Sequence, residues 1–145
     1  MSMKDCLVTV AVLVVLVLPT TARADADGNC SNATLHGSYG LHATGTVIGG
    51  GNFAAVGRFI FDGKGNLAAT LFTRVNGNNN TLTITGRYSV SPDCTVSDTW
   101  NASNGQTSTH ESVIVDNGQG YFILNNTSDD GSVISGEARK QSTED

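Results

Sequence analysis

From Ser38 to Lys140 apolar and polar residues alternate at period two, in runs cut by clusters of Gly, Asn, Asp and Ser. "SYGLHATGTVI" at 38–48 ends in "GGGN", and Phe53–Phe61 ends in the break "DGKGN" at 62–66. Leu67, Ala69 and Leu71 then alternate with Ala68, Thr70 and Phe72 up to "NGNNN" at 76–80. "TLTITGRYSV" sets Leu82, Ile84, Tyr88 and Val90 on one face and stops at "SPDC". "TVSDTWNA", "STHESVIVD", "YFILNNT" and "SVISGEARK" come next, divided by "SNGQ", "NGQG" and "SDDG".

These runs predict eight strands joined by connections too short for crossover helices, which demands an antiparallel meander. Only "CSNATLHG" has the makings of a helical turn. The fold class is therefore all-β, an eight-stranded antiparallel up-and-down barrel, because closure removes exposed edges and the many glycines permit tight coiling. A β-sandwich is the alternative. "AVGRFIFDGKGN" and "ITGRYSVSPDCT" echo one another, as recurring hairpin chemistry rather than a solenoid repeat.

The first residues have a different character. One Lys, the apolar run from Cys6 to Pro19 and "TTARADA" form a secretory signal peptide over 1–24, with cleavage after Ala24 or Ala26. The apolar run is shorter than the roughly 20 residues a spanning helix needs. The domain then occupies 27–140, with a polar tail at 141–145, and the expected location is secreted or periplasmic. No membrane insertion of the mature chain is expected.

Without Lys4, Arg23 and Asp5, eight basic and thirteen acidic side chains become six and twelve. An acidic mature chain argues against nucleic-acid or anionic-membrane partners, which need clustered Lys and Arg. Cleavage leaves two cysteines, Cys30 and Cys94, bound for an oxidising compartment, and a disulfide between them is the default. The rival reading, a reactive thiol pair, lacks the C-x-x-C spacing.

Candidate chemistry is sparse. "DGKGN" at 62–66 reads as a turn, with Gly63 and Gly65 supplying positive φ and Asp62 accepting from backbone amides. A calcium loop would need more carboxylates than this one carries. His36, His42 and His110 show no metal-ligand spacing and read as surface histidines; no metal and no cofactor are expected. His110 and Glu111 are adjacent and fall on opposite strand faces. Phosphate loops, dinucleotide fingerprints and G-x-S-x-G elbows are absent.

Arg58 and Arg87 each follow a glycine and stand out of phase with the aromatic residues after them. In a polar barrel interior they would clamp an anion; otherwise they are solvated outward arginines. Glu111 beside either arginine is the pair to inspect. Trp100, the only tryptophan, is a stacking wall at a barrel mouth or a lid over the core. Arg58, Arg87, Trp100 and Glu111 are the candidate ligand-binding residues.

Together "CSNATLHGSYG", "AVGRFIFDGKGN", "TGRYSVSPDCT", "VIVDNGQG" and "ISGEARKQ" resemble small secreted bacterial proteins of the allene oxide cyclase barrel-like group, within the calycin-type barrels. The resemblance spans nearly the whole mature chain and implies an eight-stranded barrel with a cavity. It also implies, at most, an isomerase or cyclase that shapes a hydrophobic substrate, and it carries over no catalytic residue. The residues favour an exported barrel that binds a small, partly apolar or anionic molecule. A cyclase, or a structural barrel with a filled core, are the alternatives.

Overall fold

A computed structural model describes residues 29–128 and 131–142. The expected signal peptide, both cleavage points and the end of the polar tail lie outside the described residues. The strands are β1 (His36–Val47), β2 (Gly51–Asp62), β3 (Asn66–Val75), β4 (Asn78–Val90), β5 (Thr95–Ala102), β6 (Thr107–Val115), β7 (Gly120–Ser128) and β8 (Val133–Lys140). Each pairs antiparallel with the next, and β8 returns to β1 to close an up-and-down barrel. Among the described residues no helix is long and apolar enough to cross a membrane.

Several boundaries differ from the sequence reading, and two of the differences matter here. The cluster "NGNNN" is mostly strand: Asn76 and Gly77, both at positive φ, make the turn alone, and β4 starts at Asn78. Asparagines at 78–80 pair with Arg74 and its neighbours despite their low strand propensity, because the ladder on the other side of the turn is already in register. β1 begins at His36, so His36 and His42 share one strand, both on its exposed outer face.

Closure depends on glycines that face inward. A Cβ at Gly86 would lie 2.3 Å from the Thr99 carbonyl oxygen, and one at Gly136 would lie 2.4 Å from that of His42. Only a residue without a side chain lets the neighbouring backbone come so close where the sheet coils. This also explains the Gly-Arg echo: with Gly57 and Gly86 turned inward, Arg58 and Arg87 must turn outward.

One end of the barrel is packed solid. Tyr39, Phe61, Tyr88 and Tyr121 meet there mostly edge to face, with ring centroids 5.1–5.7 Å apart. A short 3-10 turn, Asn32–Thr34, delivers Leu35 into this end, where it is 1% exposed. The Tyr88 hydroxyl donates to the carbonyls of Asn32 and Leu35 at 3.0 and 2.9 Å, and the Tyr39 hydroxyl donates to that of Gly118 at 2.7 Å. The carbonyls of the capping segment are thereby satisfied by the core beneath them.

The break "DGKGN" is a turn at the same end. Asp62 Oδ1 accepts from the amides of Lys64 and Asn66 at 2.7 and 3.0 Å, and Oδ2 accepts from the Asn66 side chain. These donors, the Asn66 side chain first, hold the Asp62 carboxyl down to about 2. Cys30 and Cys94 form a disulfide that ties the capping segment to the β4–β5 turn, across a sequence separation of 64. The disulfide expected from the cysteine count is present.

The capped end is open to two stability tests. Replacing both Cys30 and Cys94 by Ser should lower the unfolding free energy by about 4 kcal/mol, the chain-entropy value for a loop of this length, as read from urea melts. Asp62→Ala should lower Tm at pH 7. Because the folded carboxyl titrates below its unfolded value, its stabilising contribution is complete above the ordinary carboxylate range and is lost as pH falls toward 2. The Tm difference between the two proteins should therefore shrink in melts taken at successively lower pH.

Candidate ligand-binding site

The opposite half of the barrel is hollow, and the strand register shows why. Gly136, Ala43, Ala55 and Thr73 are direct neighbours across β8, β1, β2 and β3, a row of small side chains all facing inward. Ile123 flanks the row beside Gly136 on β7, and Ile84 on β4 and Trp100 on β5 line the wall beyond without filling the space. The result is a cavity of about 280 Å³ toward the end bearing the β1–β2, β3–β4, β5–β6 and β7–β8 connections. Its walls are mainly apolar, including Leu41, Phe53, Leu71 and Leu82, while Asn80, Asn104 and Gln106 stand at the mouth.

One titratable pair lies within this apolar setting. Asp98 on β5 and His110 on β6 are register partners with inward side chains, and Asp98 Oδ1 lies 2.7 Å from His110 Nδ1. Both are buried, at 7% and 6% exposure. The His110 ring stacks on Trp100 at 3.8 Å between centroids, and Trp100 in turn packs on Phe59 at 4.7 Å. Burial dominates the Asp98 carboxyl and pushes its pKa up. The hydrogen bond from His110 opposes this, as does the charge the ring carries when it is protonated and, more weakly, the nearby Trp100 indole N–H, which makes no well-aligned hydrogen bond to it.

The ring of His110 lines the cavity. With Nδ1 taken by Asp98, Nε2 is the polar atom it offers there, and no hydrogen bond reaches Nε2 among the described residues. Three further polar atoms on the inner face of β5–β7 are buried without a hydrogen-bond partner: Trp100 Nε1, Ser112 Oγ and Tyr121 Oη. Tyr121 is close enough to Asp98 to feel its charge, which adds to burial in driving the phenol pKa well up. Native interiors leave few such groups unpaired; these three atoms are closed off from the cavity, and Ser112 and Tyr121 lie outside its lining.

Of the four candidate residues, Trp100 alone faces the interior, as a cavity wall. Arg58, Arg87 and Glu111 lie on the exposed outer face, because the aromatic residues in phase with their neighbours occupy the inside. Arg58 donates to Ser38 Oγ at 2.9 Å and Arg87 to Asn66 Oδ1 at 2.7 Å. Glu111 accepts from Ser97 and Asn126. Arg87 and Glu111 border one shallow outer groove over β4–β7, and neither arginine pairs with Glu111. An interior arginine clamp is thus replaced by outer-face cross-strand hydrogen bonds.

The expectation of surface histidines holds for His36 and His42 and fails for His110. The sequence contained the sign of it: Asp98 is in phase with Val96 and Trp100, and His110 with Ser112 and Ile114, so one alternation carries both groups inward. Among the described residues no three His, Cys, Asp or Glu side chains gather as metal ligands.

No family model matches the chain, and no curated protein matches it. Solved structures do. The redesigned β-barrel mFAP1, bound to DFHBI, is similar at 15% identity and a TM-score of 0.58, over 75% of this chain and 97% of that one. A de novo designed fluorescence-activating β-barrel is similar at 14% identity and 0.56, over 79% and 98%. The likeness shows the fold alone.

The buried pair makes an energetic prediction. His110→Leu leaves Asp98 buried without its partner and should cost about 3–5 kcal/mol. Asp98→Leu combined with His110→Leu removes both polar groups and should cost less than the sum of the single changes. Urea melts of the four proteins in this cycle measure the coupling.

Proposed function

We propose that this protein is an exported barrel that binds a small, largely apolar molecule in the hollow half of its interior. The observation that carries the reading is the row Gly136, Ala43, Ala55 and Thr73, which keeps a cavity open in a barrel whose other half is filled with aromatic rings. Small eight-stranded barrels either fill their interior or hold one small ligand. At about 280 Å³ the cavity is near the lower end of the roughly 300–1,000 Å³ typical of ligand sites. The similar barrel mFAP1 is bound to the small molecule DFHBI, which supports an interior site of this kind.

Export rests on the signal-peptide pattern and agrees with a disulfide at the capped end. The resemblance to the allene oxide cyclase barrel-like group supports the same reading at the level of barrel and cavity. A cyclase activity would draw on positioning in that cavity, and no residue pattern singles it out. Binding is therefore the reading we adopt over catalysis.

Native mass spectrometry of the protein exported by its own host, followed by denaturing extraction, tests the proposal. A defined small-molecule adduct is expected, and it should be lost in Ala55→Phe, which fills the hollow row. An unliganded mass that stays unliganded after incubation with an extract of the host's medium would favour a structural barrel instead.

A further inference from the structure

If the cavity binds a small molecule, as proposed above, its polar groups specify more than an apolar guest. A purely apolar ligand would cover His110 Nε2 and leave it unpaired, a loss in desolvation with nothing in return. A carboxylate ligand, ionised before it enters, adds a net negative charge and carries no proton for Nε2, and among the described residues no Lys or Arg lines the cavity to balance it. A cationic ligand would meet the face of His110, which stands between the cavity and the Asp98 oxygen it is bonded to.

A neutral weak acid fits all of these constraints. Its hydroxyl donates to Nε2, and the ring it sits on packs among Trp100, Phe53 and the leucines of the wall. We propose that the Asp98–His110 pair is the anchor for a ligand bearing an acidic hydroxyl on a planar apolar body, a phenol or an enol, and that Nε2 takes up its proton. In that step the O–H bond breaks with its electron pair left on oxygen, and a new N–H bond forms at Nε2. The Nδ1–H of the resulting imidazolium stays hydrogen-bonded to the Asp98 carboxylate. A buried ion pair of ligand and protein replaces two neutral groups, and Asp98 supplies the charge that makes the imidazolium tolerable there.

The surroundings suit this exchange. Tyr88 faces Asp98 from β4 and Tyr121 approaches from β7; both phenols are kept neutral by burial, so neither competes for the negative role. Glu111, the remaining nearby carboxylate, is turned to the outer face and engaged by Ser97 and Asn126.

The experiment compares 4-nitrophenol with its methyl ether, 4-nitroanisole, on the protein produced from the full chain. The phenolate of 4-nitrophenol absorbs in the visible, and the neutral phenol does not. The expected result is binding about tenfold or more tighter for the phenol than for the ether. The bound phenol should also show the phenolate band about one pH unit below the midpoint of the free compound. Asp98→Asn should bind the phenol without that band, and His110→Phe should bind phenol and ether alike.

Equal affinities in the unmodified protein would overturn the anchor and leave the apolar cavity reading intact. Failure of both compounds to bind would overturn both. Phenol preference that persists in His110→Phe would remove His110 from the role. The comparison of phenol with ether needs no substitution, so it decides the matter even if His110→Phe does not fold.

Discussion

Closing eight antiparallel strands into a cylinder forces each residue to one side of a wall, and the enclosed volume must be filled, shared or left open. Here the inward positions divide along the barrel axis. Near the capped end they carry Tyr39, Phe61, Tyr88 and Tyr121, whose rings fill the cross-section. Toward the other end they carry Gly136, Ala43, Ala55 and Thr73, which do not. Close-packed aromatics at one end allow the other to remain hollow, because burial at the filled end supplies the stability that the hollow end forgoes.

The same wall explains why a titratable pair sits where it does. Period-two alternation gives no choice about Asp98 once Val96 and Trp100 face inward, and the cross-strand register then puts His110 beside it. Taking a carboxylate out of water is costly unless a partner and further hydrogen bonds compensate. Asp98 has one such bond, while Trp100 Nε1, Ser112 Oγ and Tyr121 Oη nearby have none. A sequence selected for stability alone would place apolar residues of similar size on this wall. The pair is retained here nonetheless, with the His110 side chain in the cavity lining and Asp98 behind it.

Most of the architecture was readable from the chain itself. Period-two runs separated by Gly, Asn and Asp clusters give strand number and direction, since short connections require an antiparallel meander, while closure was preferred to a sandwich because it removes exposed edges. The turn at Asp62 and the disulfide of Cys30 with Cys94 were equally plain, because each is a local or pairwise constraint. The site was not. Arg58, Arg87 and Glu111 attract notice as charged residues in apolar strands, yet the glycines at 57 and 86 and the phase of Phe59 and Tyr88 already turn the arginines outward. Asp98 and His110 lie in segments dense with Ser and Thr, where inner and outer faces differ little in hydropathy, so the inward phase is legible only from neighbours such as Val96 and Ile114.

The disulfide, the capping turn and the aromatic cluster all lie at the end away from the cavity. The Asp98–His110 pair and Trp100, which stacks on it, lie beyond that cluster on β5 and β6. Apart from Gly136, whose missing side chain the coiling of the sheet requires, the hollow row leaves space rather than filling it. Barrels at 14–15% identity share a fold with this chain, and a shared fold does not fix what lies inside. What distinguishes this interior is its own wall, where an inward carboxylate and an inward imidazole are bonded to each other and the imidazole lines the cavity.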